Sequence, residues 1–382
     1  MEQAVAESLI HGPRGQFDLA TPDDEAQLRR LARDNAMGGA IKLALEPTPN
    51  SPLPQIAGPI VYQTVVGRRS DGTLFGAGTR SVSMAFVNGE PMPLGYLSGM
   101  RLDTDYRAKP RTILSGYEFL RELHESDGAT EIYLTSIMSD NLVARRLLEA
   151  NLRGMPTYRF VGEFATLIFR RQRNGEFTKP SSCARADLRR KALRLNHDAA
   201  DADALAAVFN RSSRSFQFAR LWSARDMNHL KMRVASHATG VAAASAMWHS
   251  QIPKRVVVRG YTRAFAFARP MLNMLAPVTK LPKFPKVGQP LRSAYLSLAG
   301  IPPERVDTLV PLVRALHASA HSAHVDCFIA GAAAGDPRLE VLGRSFGGRV
   351  IRSRLYVVFW PDGREAADAL DHRLCHPEVA LL

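Results

Sequence analysis

Acidic residues are missing from the long stretch between Asp226 and Glu304, which nevertheless holds eleven lysines and arginines, from Lys231 to Arg292. Solvated faces ordinarily mix both signs. The block therefore predicts a local positive field that draws an anionic partner, the plainer alternative being a solvated basic face. Cysteine is scarce too. Cys183, Cys327 and Cys375 are odd in number and far apart, which excludes a disulfide framework or a cysteine zinc site and predicts reduced thiols in a cytoplasmic protein. No apolar run approaches the length of a membrane span, the nearest being Val241–Trp248. Met1–Gln16 lacks the basic start and apolar stretch of a signal peptide.

What is present is a globular composition, 46% hydrophobic and 23% charged, over 382 residues. That length favours two domains over a single core. The net charge of +14 is unevenly placed: residues 1–180 hold 21 basic and 21 acidic residues, whereas 181–382 hold 29 and 15.

The hydrophobic pattern alternates between strand and helix periods. Gln16–Ala20 reads as a strand, and Thr21-Pro22-Asp23-Asp24-Glu25 as a helix start with an N-cap, a proline and early acids. Pro47–Pro59 is a proline-rich loop. Val61–Val66, Gly76–Phe86 and Gly95–Leu102 read as strands, Thr112–His124 as a helix, Glu131–Ile137 as a strand, Asn141–Asn151 as a helix and Phe160–Arg170 as a strand. Arg171–Pro180 reads as a linker, after which the order repeats. Asp201–Asn210 and Val306–Ser319 are predicted helices, Gly240–Trp248, Val256–Gly260, Arg292–Leu298 and Val325–Ala330 predicted strands, and a helix at Arg338–Phe346 precedes a strand at Arg352–Trp360. Tyr96-Leu97-Ser98 recurs as Tyr295-Leu296-Ser297, each ahead of a helix, a strand, an acid-led helix and a final strand. The shared order points to a duplicated α/β domain.

The strand Gly95–Leu102 runs into Asp103-Thr104-Asp105-Tyr106-Arg107-Ala108-Lys109-Pro110-Arg111-Thr112. Together with the helix Asn141-x-x-Ala144-x-x-Leu147-Leu148-Glu149, this series resembles the GNAT acyltransferases. In that superfamily a strand holds the pantetheine arm of CoA, and the next loop and helix N-terminus hold its pyrophosphate. The resemblance covers about Phe17–Arg170. It implies an α/β fold of two tandem GNAT-like domains, each a mixed sheet flanked by helices, over residues 1–176 and 177–382. The donor-binding residues it implies are Met100, Arg101, Leu102, Arg107, Ala108, Lys109, Arg111, Thr112 and Asn141. Three departures accompany it. Pro110 stands where the first motif glycine belongs and offers no N–H, so the cations would bind phosphate through their side chains. Thr112 replaces the second small residue, and Leu148 stands where the family has a tyrosine. Asn141 has a second reading as a helix N-cap.

N-acyl transfer requires a base for the amine and an acid for the departing thiolate. Tyr96, Tyr133 and Tyr158 are candidates for the acid, and Glu90 for the base acting through water. The second half lacks a phosphate loop and reads as a degenerate copy. Gly343-Arg344-Ser345-Phe346-Gly347 matches a hydrolase nucleophile pattern, but a helix precedes it and a strand follows, the reverse of what that motif needs. His317, His321 and His324 share one helical face, yet no convincing fourth ligand accompanies them, and no metal is expected. Tyr261–Leu275 reads as a buried helix broken at Pro270, or as a membrane-surface helix or acyl-chain lid. The resulting expectation is an N-acyltransferase using acetyl-CoA or another acyl-CoA as co-substrate and a small amine as acceptor. The alternatives are an acyl-carrier protein as donor, or a binding protein that has lost catalysis. An anionic membrane surface is a further partner; nucleic acid is disfavoured because no recognition motif accompanies the basic block.

Overall fold

A computed structural model describes residues 16–48, 58–107, 109–170, 194–196, 201–237, 240–249, 254–276, 283–319 and 325–382. The first half contributes β1 (Phe17–Leu19), α1 (Glu25–Asp34), β2 (Ile41–Pro47), β3 (Val61–Arg68), β4 (Leu74–Val87), β5 (Glu90–Leu102), α2 (Thr104–Arg107), α3 (Pro110–Asp127), β6 (Tyr133–Met138), α4 (Leu142–Glu149) and β7 (Thr157–Arg170). The second contributes β8 (Arg194–Asn196), α5 (Ala202–Ser213), β9 (Ala219–Arg220), α6 (Ala224–His229), β10 (Lys231–His237), β11 (Gly240–Trp248), β12 (Lys254–Tyr261), α7 (Arg263–Leu275), β13 (Ser293–Ser297), α8 (Leu309–Ser319), β14 (Cys327–Ala333), α9 (Pro337–Phe346) and β15 (Arg349–Phe359).

Local chemistry sets several of these boundaries. Thr21 and Asp24 form a capping box ahead of α1. The β3–β4 turn closes as Asp71 Oδ1 accepts the Thr73 N–H at 2.9 Å. α3 opens on Pro110 and stops at Gly128, whose φ of 53° is the left-handed conformation that ends helices.

The sheet runs β1-β3-β4-β5-β6-β15-β7-β14-β13-β11-β10-β8, with β9 added to β4. The mixed sheet flanked by helices is as expected. The halves share it, however, instead of holding one sheet each. β5 and β6 are parallel, as are β13 and β14. Beyond each parallel pair lies the last strand of the other half: β15 lies against β6, and β7 against β14. β15 and β7 pair with each other over eleven registered residues from Arg349↔Ile168 to Phe359↔Thr157. Each half thus completes the other's sheet by exchanging its last strand. The sequence linker and the 176/177 boundary lie outside the described residues.

Apolar clusters cover both faces. On one face α3 packs Ile113 and Tyr117 against Leu97, Tyr133, Tyr158 and Tyr356. On the other, Leu94, Leu134, Phe164, Phe218, Leu355 and Val379 pack together, with Tyr96 at the margin. Strand β2, helix α6 and strand β10 escaped the sequence pattern. β2 pairs with β12 in a separate two-stranded ribbon beside the main sheet. The buried helix expected at Tyr261–Leu275 is corrected. α7 runs unbroken from Arg263 to Leu275 through Pro270, and none of its residues is buried. Ala266, whose carbonyl would bond the amide that Pro270 lacks, lies on the exposed side of the helix, where that carbonyl is not stranded in a dry core.

Candidate active site

The parallel pair β5/β6 is registered only at Gly95↔Tyr133 and Tyr96↔Leu134. Gly95 is required there: a Cβ at that position would lie 2.0 Å from the Tyr133 ring. Past Tyr96 the strands separate. Thr135 Oγ1 spans the widening gap to the Leu97 carbonyl at 2.7 Å, and the Tyr96 and Ser136 hydroxyls meet at 3.0 Å. Against β4 the same stretch of β5 bulges: Thr79 pairs with Ser98, but Ala77 pairs with Arg101, so β5 carries one extra residue. Gly99, with a φ of 68°, supplies the conformation the bulge needs. Among the described residues no strand pairs with β5 on its β6 side beyond Tyr96. That edge is available to an extended, amide-bearing ligand as an added strand.

The bulge distributes the next side chains. Met100 turns toward α3, where the Tyr117 hydroxyl lies 3.9 Å from its Sδ. Arg101 turns to the opposite face and donates to the Leu45 carbonyl on β2. Leu102 packs beside the α3 cluster. The turn that follows is pinned at Asp103, held by Arg69 at 2.6 Å and Arg30 at 3.2 Å, and at Tyr106, stacked 4.1 Å from the Phe75 ring. Arg107 is committed to this frame, donating to the Leu102 carbonyl at 3.1 Å and to Asn35 at 2.8 Å. Lys109 lies over the Tyr106 ring at 4.3 Å, and Arg111 is exposed at the start of α3. Thr112 donates its N–H to the Lys109 carbonyl at 3.1 Å. Ala108 lies outside the described residues. Asn141 caps α4, accepting from the Ala144 N–H at 3.2 Å, which is its N-cap reading.

On the Tyr96 face lies a cavity of about 100 Å³, lined by Ser81, Gly95, Tyr96, Phe218, Arg220 and Glu378 among others. Glu378 is the group the sequence reading missed, because it stands 282 residues from Tyr96 in a segment without a motif. Its Oε2 accepts from Ser297 Oγ at 2.7 Å, while Oε1 has no hydrogen-bond partner. Burial lifts its carboxyl to about 7, opposed by the Ser297 hydrogen bond. Burial also lifts the Tyr96 phenol to about 12, so it remains a proton donor at neutral pH. Lys254, at the start of β12, reaches Ser98 Oγ at 3.1 Å. Loss of solvent, helped by the Arg101 charge, draws its ammonium down to about 8.

Of the four catalytic candidates, only Tyr96 lines the cavity. Tyr133 faces away, its hydroxyl 2.9 Å from both Arg80 Nε and His124 Nδ1 inside a buried network. Tyr158 pairs its hydroxyl with that of Tyr117 at 2.6 Å on the α3 face. Glu90 is exposed at the far end of β5 beside Arg214, six residues or about 20 Å along the strand from Tyr96. His317 is buried and stacked 4.1 Å from Phe328, and His321 and His324 lie outside the described residues. No metal-holding cluster occurs among the described residues. Ser345 sits inside α9 with β15 following, the reverse of a nucleophile turn.

At the matching place in the second half, beyond the registered part of β13 and β14, a buried arginine takes up the main-chain carbonyls. Arg338 is wholly buried, ion-paired to Asp336 at 2.6 Å, and donates to the Leu298 and Ile301 carbonyls at 3.0 and 2.9 Å. These carbonyls follow Tyr295-Leu296-Ser297, the counterpart of Tyr96-Leu97-Ser98.

No known protein-family model matches the chain, and no curated protein matches it by sequence. Solved structures do. Saccharomyces cerevisiae N-myristoyltransferase with bound myristoyl-CoA superimposes with a TM-score of 0.56 at 11% identity, covering 97% of this chain and 86% of that one. A GCN5-related glucosamine N-acetyltransferase region of a fungal multi-domain β-N-acetylglucosaminidase gives 0.58 at 13% identity, covering 91% of this chain and 38% of that one. The fold is of the GNAT type. Because the myristoyltransferase match spans nearly the whole chain, the GNAT likeness extends over both halves and not over the first alone.

Proposed function

We propose that the protein is an acyl-CoA-dependent N-acyltransferase whose donor lies in the gap between β5 and β6 and whose acceptor is a small amine held in the cavity beneath Tyr96. The observation that carries this reading is the divergence of a parallel strand pair at Tyr96/Leu134, coupled to a bulge at Gly99 and a buried carboxyl on the adjoining cavity. The myristoyl-CoA bound to the yeast structural relative supports an acyl-CoA as donor and co-substrate.

In this reading the pantetheine amides bond to the open edge of β5 around Met100, Arg101 and Leu102, and Lys109 and Arg111 reach the phosphates. Arg107 holds the turn in shape. Glu378 takes a proton from the acceptor nitrogen, which attacks the thioester carbonyl. The C–N bond forms and the C–S bond breaks, main-chain N–H groups at the bulge stabilise the oxyanion, and Tyr96 protonates the departing thiolate. A carboxyl near 7 is well matched to this task, since it is substantially ionised at neutral pH and still basic. The second half contributes Ser297 and Glu378, while at its own matching place Arg338 takes up the main-chain carbonyls.

Calorimetry of the purified protein with acetyl-CoA, longer acyl-CoAs and free CoA tests the donor, followed by thiol-release assays across a panel of amines. Failure to bind any acyl-CoA would sink the proposal. Turnover from an acyl-carrier protein without CoA binding would reassign the donor.

A further inference from the structure

α7 is an amphipathic helix turned the wrong way for a water-soluble surface. Two of its polar side chains, Arg269 and Asn273, face inward. Arg269 donates to the Phe284 and Pro285 carbonyls at 3.4 and 3.2 Å, and Asn273 exchanges hydrogen bonds of 2.9 and 2.7 Å with the Phe284 main chain. Phe265, on the same side, stacks on Tyr261 and meets Phe284 edge-on. The opposite side carries Phe267, Met271 and Met274 at helical spacing, with 91%, 55% and 72% of their surfaces exposed. Val287 adds to this apolar surface at 58%. Around it stand exposed Arg263, Lys283 and Lys286, and no acidic residue occurs anywhere from residue 227 to 303.

Scattered exposed apolar residues are ordinary, but a continuous stripe on one helix marks an interaction surface. We propose that α7 and the following Lys283–Val287 segment form a docking face for an anionic lipid bilayer. Phe267, Met271 and Met274 would enter the boundary between headgroups and acyl chains, and Arg263, Lys283 and Lys286 would meet lipid phosphates. Charge complementarity decides for lipid over a second copy of this chain, since the same basic segment, with no acidic residue of its own, would oppose itself across a two-fold contact. α7 directly follows β12, the strand that carries Lys254 to Ser98. Lys254 stands at the opposite end of that strand, seven residues or about 23 Å from Tyr261 beside α7. The proposal stands on the helix itself and not on the acyltransfer reading.

The test is co-sedimentation of the full chain with phosphatidylcholine vesicles, with and without about one-third phosphatidylglycerol, at low and moderate salt. The expected result is binding to the anionic vesicles that weakens as salt rises, with little binding to neutral ones. Phe267→Asp with Met271→Asp should weaken it at least about tenfold, as should Lys283→Glu with Lys286→Glu. All four side chains are exposed, so unchanged circular dichroism and melting temperature are expected and would show that folding is intact. Undiminished binding in the correctly folded variants would overturn the proposal. Absence of binding to anionic vesicles would do the same, as would a wild-type dimer in light scattering that Phe267→Asp turns into monomer.

Discussion

Replacing Glu378 with glutamine tests the proposed chemistry at its centre. The substitution keeps shape and the hydrogen bond from Ser297 while removing the ability to ionise. Raising the carboxyl from 4.5 to about 7 corresponds to roughly 3 kcal/mol of differential interaction between its two protonation states. The sign follows from linkage. The folded protein holds the proton more tightly than the unfolded chain, so stability is fully present below about 4.5 and declines as pH rises toward about 7. Glu378→Gln should abolish that decline, making the variant the more stable protein above pH 7 by an amount of this order. Activity should move the other way. Measuring CoA release from pH 5 to 9, the ratio of wild-type to variant kcat/KM cancels the acceptor's own titration. It should climb about tenfold per pH unit below about 7 and level off near 10²–10⁴, the usual contribution of a general base. A ratio near one, or one independent of pH, would refute the assignment.

Three further outcomes follow from the geometry. Lys109→Ala with Arg111→Ala should weaken CoA binding by at least about tenfold in calorimetry, whereas Arg107→Ala should show chiefly as a lower melting temperature, since its guanidinium is spent on Leu102 and Asn35. Gly95→Ala should cost about 1–3 kcal/mol or more in denaturant unfolding, because the new methyl collides with Tyr133 and forces the β5/β6 pair apart. Arg338→Leu should destabilise by about 3–5 kcal/mol, stranding buried Asp336 and two carbonyls; equal stability of that variant would show that the buried arginine is dispensable.

Much of the first half was legible in order along the chain, because its elements announce themselves locally. Alternation marks β3 and β4, helical spacing of Ile113, Tyr117 and Leu123 marks α3, and Pro110 and Gly128 bracket it. The strand–turn–helix series from Gly95 to Thr112, and the recurring Tyr-Leu-Ser, also point to a duplicated GNAT-type arrangement without any contact being known. β2 was missed because its strand partner, β12, lies more than two hundred residues away, and α7 was misjudged because periodicity shows that a helix has two faces, not which of them meets solvent.

By itself the sequence determined most of the helices and strands, where cations gather, and the turn that links β5 to α3, since propensity, capping and charge act between near neighbours. Only the tertiary structure decided that the halves exchange β7 and β15, that Tyr133 is bound into an ion-pair network and removed from the cavity, and that Glu378 and Lys254 arrive on the Tyr96 face from the second half. Those outcomes depend on burial and on contacts between elements distant in the chain, 53 positions apart for Arg80 and Tyr133 and 156 for Ser98 and Lys254. Burial also lifts the Glu378 carboxyl toward neutrality, and no pattern along the chain encodes the loss of water around one side chain.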